Sequence, residues 1–238
     1  MLLSVPTFAI TDSSGTPYMV VDESAKVIAY FFTSAVEAER IIAEGKESAR
    51  KEWGKGKDKD KDMDPREIWR SATVSTLPLS SVLSLSLQGR TKSGVYFKLT
   101  PTEADLQEAL NYTSIKGGLP DGKVPLFFSD ALTVPLDFYD VREGGWKSKG
   151  NVVGEVETFK PIFFSRKELE EAWGKYGGSG DLKVEVTELT GVVKEIVNGR
   201  DPELGRLGIV PYKGSKDREK RVRGKGIDYK MGERILIL

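Results

Sequence analysis

The feature that most constrains this 238-residue chain is an internal duplication. Val5-Pro6-x-Phe8 returns as Val124-Pro125-x-Phe127, each opening a short apolar run that leads into a Ser/Asp step. Tyr30-Phe31-Phe32 ahead of Ser34-x-x-Glu37 returns as Ile162-Phe163-Phe164 ahead of Ser165-x-x-Glu168. An ungapped shift of 110 residues then carries Val74 onto Val184, Leu79 onto Leu189, Val82 onto Val192 and Gly89 onto Gly199. Each match is weak alone, because any two α/β halves share apolar strands and capped helices. Three signatures in one order predict a structural repeat.

Each half reads as strand, strand, capped helix, strand, short apolar helix. Residues 26–34 are nearly continuous in apolar side chains, which suits a strand covered on both faces. Both Ser-x-x-Glu motifs have the form of a capping box, in which serine accepts from a first-turn amide and glutamate reaches back. Val36, Ala38, Ile41 and Ile42 are expected to be the buried stripe of the first helix. Thr100-Pro101-x-Glu103 predicts a second helix start with Thr100 as cap and Leu106, Ala109 and Leu110 buried. The Gly- and Pro-dense stretch 116–123 is the expected boundary, giving halves of 1–117 and 118–238 within one compact unit. The predicted fold class is α/β (α+β), two similar halves around a pseudo-two-fold axis.

Two stretches break the symmetry. "GKGKDKDKDMD" (54–64) alternates Lys and Asp with no apolar period and reads as a solvated insertion. Residues 206–225 hold eight Lys and Arg against two acids, a local charge of +6, where the first half has its capped helix. The closing "RILIL" reads as a strand in need of a partner.

Composition excludes more than it assigns. The chain has no His and no Cys, which removes thiol chemistry, Ser-His-Asp triads and Cys- or His-ligated zinc. Formal net charge is zero, so no overall field draws the chain to nucleic acid. No apolar run approaches the ~18–20 residues of a membrane-spanning helix, and "MLLSVP" is too short for a signal-peptide core. "GKGKDK" lacks the spacing of a phosphate loop. No catalytic, cofactor-binding or metal-ligating residue is assigned, and a binding protein is expected in place of an enzyme.

"VPTFAITDSSG", "AYFFTSAVEAE", "VPLFFSDALTV" and "KPIFFSRKELEEAW", in that order and in duplicate, resemble the Tic twenty-two family. The likeness covers roughly 5–42, 72–132 and 156–199. The resemblance implies an α/β protein of two similar halves with apolar surface pockets. It also implies a chaperone-like escort of preproteins in the chloroplast intermembrane space, between outer- and inner-envelope translocon components. Cyanobacterial relatives imply the periplasm and unfolded outer-membrane proteins as an alternative. The Lys/Asp insertion and the basic segment depart from the family pattern.

An escort needs an apolar groove for extended segments. Phe31, Phe32, Phe127, Phe128, Phe163 and Phe164 are candidates by position in the repeated motif, with Val20, Leu132 and Val134 beside them. The competing reading is that they fill the core. Side chains alternate across a strand, so one phenylalanine of each pair is expected inward and its neighbour in a pocket. Pro6 and Pro125 each lack an amide donor, which places both motifs at a strand's start or near a sheet edge. Lys213, Lys216, Arg218, Lys220, Arg221, Arg223 and Lys225 form an alternative site, docking on an anionic membrane surface or serving as a solvated tail. Only Tyr212 supplies an aromatic among them, which argues against nucleic acid.

Overall fold

In the computed structural model the duplication in sequence becomes two sheets with matching strand pairing. It describes residues 5–54, 64–87, 91, 94–112, 119, 123–135, 139–140, 145–146, 158–177, 180–198, 207–222 and 236–237. The first half runs β1 (Pro6–Thr11), β2 (Tyr18–Val21), β3 (Val27–Phe32), α1 (Ala35–Gly54), α2 (Pro65–Arg70), β4 (Thr73–Pro78), α3 (Leu79–Leu87), β5 (Val95–Thr100) and α4 (Glu103–Leu110). The second runs β6 (Pro125–Phe128), β7 (Val134–Pro135), β8 (Tyr139–Asp140), β9 (Gly145–Trp146) and β10 (Thr158–Phe163). It continues with α5 (Arg166–Tyr176), β11 (Glu185–Glu188), α6 (Leu189–Asn198), β12 (Leu207–Val210), α7 (Ser215–Val222) and β13 (Leu236–Ile237).

Strand register fixes which residues correspond. β1 lies between β4 and β3, with Phe8 opposite Thr76 and opposite Phe32. β6 lies between β11 and β10, with Phe127 opposite Val186 and opposite Phe163. β5 runs parallel to β3 with Leu99 beside Phe31, and β12 parallel to β10 with Ile209 beside Ile162. The 110-residue shift therefore extends through Leu99 and Pro101 onto Ile209 and Pro211. Phe32 corresponds to Phe163 and Thr33 to Phe164, one residue off the phenylalanine alignment suggested by sequence. The amide of Leu79 donates to the Val5 carbonyl (2.8 Å), as that of Leu189 does to Val124 (2.9 Å).

Both Val-Pro strands are thus central, not at an edge as expected. Each proline occupies the first residue of its strand, a place where a missing amide is tolerated. Within the basic segment, β12 and α7 stand where β5 and α4 stand in the first half. The C-terminal strand-like run supplies β13, parallel to β2 with Leu236 opposite Tyr18.

Three packed layers of apolar side chains explain the burial. A central core takes Phe31, Phe97, Leu126, Phe164 and the inner faces of α3 and α6 from both halves. The outer face of the first sheet packs Phe8 and Phe32 under α1, with Ala38 and Ile42. The outer face of the second packs Phe127 and Phe163 under α5, with Leu169 and Ala172. Adjacent strand residues thus feed different cores, each buried ring worth ~1.5–3 kcal/mol. Val36 is 72% and Leu110 51% exposed, so neither belongs to a buried stripe.

Helix starts differ from the expected caps for local reasons. Thr100 remains in the β5 ladder, accepting from the Thr33 amide at 3.1 Å, so α4 begins later. Thr102 is its N-cap, with Oγ1 accepting from the Asp105 amide at 3.1 Å. Ser165 is the N-cap of α5 without a side-chain cap bond, and Glu168 turns to the Lys213 amide instead (2.7 Å). Glu37 pairs with Arg40 at 2.7 Å. Residues 55–63 of the charged insertion lie outside the described residues.

The closing helices are exchanged between the halves. α4 packs on β6, where Tyr112 meets Phe127 edge-on at 6.4 Å and Arg166 of α5 pairs with Glu108. α7 packs on β1 and β4, where Arg218 pairs with Glu39 of α1.

Candidate functional site

The short apolar helix of the first half leaves one flank uncovered. Leu79, Val82 and Leu83 of α3 are buried, yet Leu87, one turn after Leu83 on the same face, is 56% exposed. That flank looks onto β5 and onto the junction where Val124 enters β6 and Leu189 opens α6. Between them lies a cleft of about 320 Å3, floored by Leu83, Phe97, Leu99, Val124 and Leu189. This is the small end of the ~300–1,000 Å3 range of ligand clefts.

Its polar groups are few. Lys98 and Lys123 stand at the rim. Lys123 Nζ donates to Glu188 Oε1 at 3.2 Å, and Glu188 also accepts from the Thr190 and Gly191 amides at 2.9 and 3.1 Å. Burial opposes ionisation of Glu188, but hydrogen bonds from Thr190 and the nearby ammonium outweigh it and hold the carboxyl below its usual range. Ser86 Oγ, on the cleft wall, is buried with no hydrogen-bond partner among the described residues. Among the described residues no group of acids is arranged to hold a metal ion, and no helix is long and apolar enough to cross a membrane.

The motif phenylalanines do not line this cleft. Phe31, Phe32, Phe127, Phe163 and Phe164 are buried, as are Leu132 and Val134. They are corrected from pocket candidates to core, because helices or the opposite sheet cover both faces of their strands. Phe128 is half-buried against the central core, and Val20 on β2 is 39% exposed. The expected division into one inward and one outward ring becomes a division between two cores. The cleft residues escaped sequence reading because Leu87 and Leu99 are ordinary members of apolar runs.

The basic segment is held by ion pairs wherever its side chains are described. Lys213 reaches Glu171 of α5 at 3.4 Å, Lys216 is buried with Glu219 at 3.3 Å, and Arg218 binds Glu39. Lys220 and Arg221 belong to α7, and Arg223 and Lys225 lie outside the described residues.

Two sheets in tandem, sharing a core and leaving an apolar cleft between α3, β5 and the start of α6, define a duplicated α/β fold. The chain belongs to the Tic22-like family, whose model matches residues 1–200. Its fold is similar to that of Anabaena Tic22, a protein-transport protein, at a TM-score of 0.60 and 21% identity, covering 92% of this chain and 93% of that one. It is similar also to Tic22 from Plasmodium falciparum, at 0.63 and 19%, covering 94% and 96%. At these identities the likeness is one of fold. The comparison with curated proteins gives no match.

Proposed function

We propose that this protein is a transport-associated, chaperone-like binding protein that holds extended, unfolded polypeptide segments in the cleft between α3, β5 and the start of α6. The observation that carries the reading is the continuity of exposed Leu87 with the buried floor of Leu83, Phe97 and Leu99. Apolar contact there is worth ~25 cal/mol per Å2 before association and ordering costs, which for so small a cleft leaves weak, reversible binding. The family resemblance supports preproteins or unfolded outer-membrane proteins as clients, and outer- and inner-envelope translocon components as partners. It supports the chloroplast intermembrane space as the place of action, or the periplasm for a cyanobacterial chain. Docking on an anionic membrane through residues 206–225 is the weaker reading, since Lys213, Lys216 and Arg218 already have acidic partners.

The test is dilution of an unfolded β-barrel precursor with and without the protein while light scattering is followed. The expected result is suppressed scattering that the Leu87→Lys variant loses while keeping its thermal stability. Scattering unchanged by the wild-type protein would sink the reading.

A further inference from the structure

The mode of capture is written in the backbone along one wall of the cleft. β5 is an edge strand: among the described residues it pairs with β3 and with no other strand. In a parallel ladder the amide and carbonyl of one residue point to the same side, and successive residues alternate. Thr100 accepts from Thr33 on the β3 side, so Tyr96, Lys98 and Thr100 face β3. Val95, Phe97 and Leu99 face away from it. Val95 spends its outward groups on the Thr91 turn, its carbonyl accepting from the Thr91 amide at 3.0 Å and its amide donating to Thr91 Oγ1 at 3.0 Å. Phe97 and Leu99 have no such partner among the described residues: neither outward amide nor outward carbonyl bonds to one. Those unspent groups border the open cleft.

We infer that the cleft takes its polypeptide by strand addition, the incoming segment pairing with the free edge of β5 at Phe97 and Leu99. This rests on the polypeptide-binding reading above and says how that binding is made. An added strand places alternate side chains on alternate faces. On the face shared by Phe97 and Leu99 they meet Leu83, Leu87 and Leu189, so they are apolar. On the opposite face they neighbour Tyr96 and Lys98. Lys98 is exposed and has no ion-pair partner among the described residues, and Lys26 lies over the Tyr96 ring at 5.7 Å. The occupant is therefore an extended segment of alternating apolar and polar residues, with a carboxylate among the polar ones. Main-chain hydrogen bonds carry little side-chain readout, which suits a protein that receives many sequences.

The probe is a fluorescein-labelled decapeptide alternating valine and threonine with one central threonine replaced by glutamate, followed by fluorescence anisotropy. Two derivatives carry N-methyl groups on alternate residues, one on each edge of the peptide. A strand paired on one side uses the amides of one edge alone. The expected result is that one derivative binds about tenfold or more weakly, from two lost hydrogen bonds, while the other binds within about twofold of the parent. Lys98→Glu is expected to weaken the glutamate peptide and to favour one with lysine at that position. Equal affinity of both derivatives overturns strand addition while leaving the polypeptide-binding cleft standing. Failure of the parent peptide to bind overturns both. A dimer that the peptide competes away, seen by sedimentation, assigns the edge to a second copy and overturns the proposal.

Discussion

Tyr212, from the second half, donates its hydroxyl to the carboxylate of Asp105, the residue that also receives the Thr102 hydroxyl at the start of α4. Thr102 and Tyr212 hold corresponding places in the two halves, each directly after the proline that follows β5 or β12. The Asp105 carboxylate therefore links the two equivalent positions by accepting from both hydroxyls. Tyr212 also stacks on Phe164 at 5.7 Å, the counterpart of Thr33.

Removing that hydroxyl leaves a buried carboxylate short of one donor. Tyr212→Phe is expected to lower unfolding free energy by ~1–3 kcal/mol, read from the urea midpoint. Burial, and then the Asp105 charge, raise the Tyr212 pKa above its ordinary 10. The folded state disfavours tyrosinate, so stability is full below pH ~10 and falls above it as the unfolded chain ionises. The variant should lose that part of the alkaline decline.

Glu168 gives a second pH dependence nearer neutrality. Burial, and then the neighbouring Glu171 and Asp105 charges, raise its pKa from 4.5 to about 7 against the opposing Lys213 amide and ammonium. Between those values the folded state holds more proton than the unfolded state, so its contribution is present at acid pH and declines as pH rises to about 7. Glu168→Gln, which can still accept from the Lys213 amide, should flatten that decline in a series of urea titrations. An unchanged slope would contradict the assignment.

The two phenylalanine pairs should behave alike. Phe8→Ala and Phe127→Ala each empty a fully buried ring site opposite another ring and should each cost ~3–5 kcal/mol. Double variants with Phe32→Ala or Phe163→Ala should cost less than the sum, since the pairs share one cavity. Additive losses would argue against direct contact across the strands.

Gly45 inverts a familiar expectation. Within a helix, Gly→Ala usually gains ~1 kcal/mol. Here a Cβ would come within 2.4 Å of the Trp69 ring, which itself stacks on Tyr18 at 5.7 Å. Gly45→Ala should destabilise by ~1–3 kcal/mol and perturb the near-ultraviolet tryptophan signal. A gain in stability would show that Trp69 moves aside freely.

The repeat was legible because strand order and turn chemistry are local, and both halves keep Val-Pro-x-Phe and the 110-residue shift. Register was less so: Thr33 answers to Phe164, and a polar residue matched to an aromatic one hides the true offset. The Val-Pro strands were misplaced toward an edge because proline at a strand's first residue and proline at an edge leave the same missing amide. Composition concealed α7, whose charges meet acids from distant parts of the chain, Glu39 among them. The cleft was not legible at all. It depends on which apolar residues remain uncovered, and that is decided by tertiary packing around Leu87 and Leu99.

The exchange of closing helices bears on how the protein comes into being. The sheet emerging first from the ribosome is covered at β1 and β4 by α7, which is synthesised long after it, while α4 waits for β6 to give it a seat. Neither half can finish before the other has begun, so folding rests on distant contacts and slow loop closure. A nascent chain stalled between the halves would hold an unfinished first sheet in need of protection.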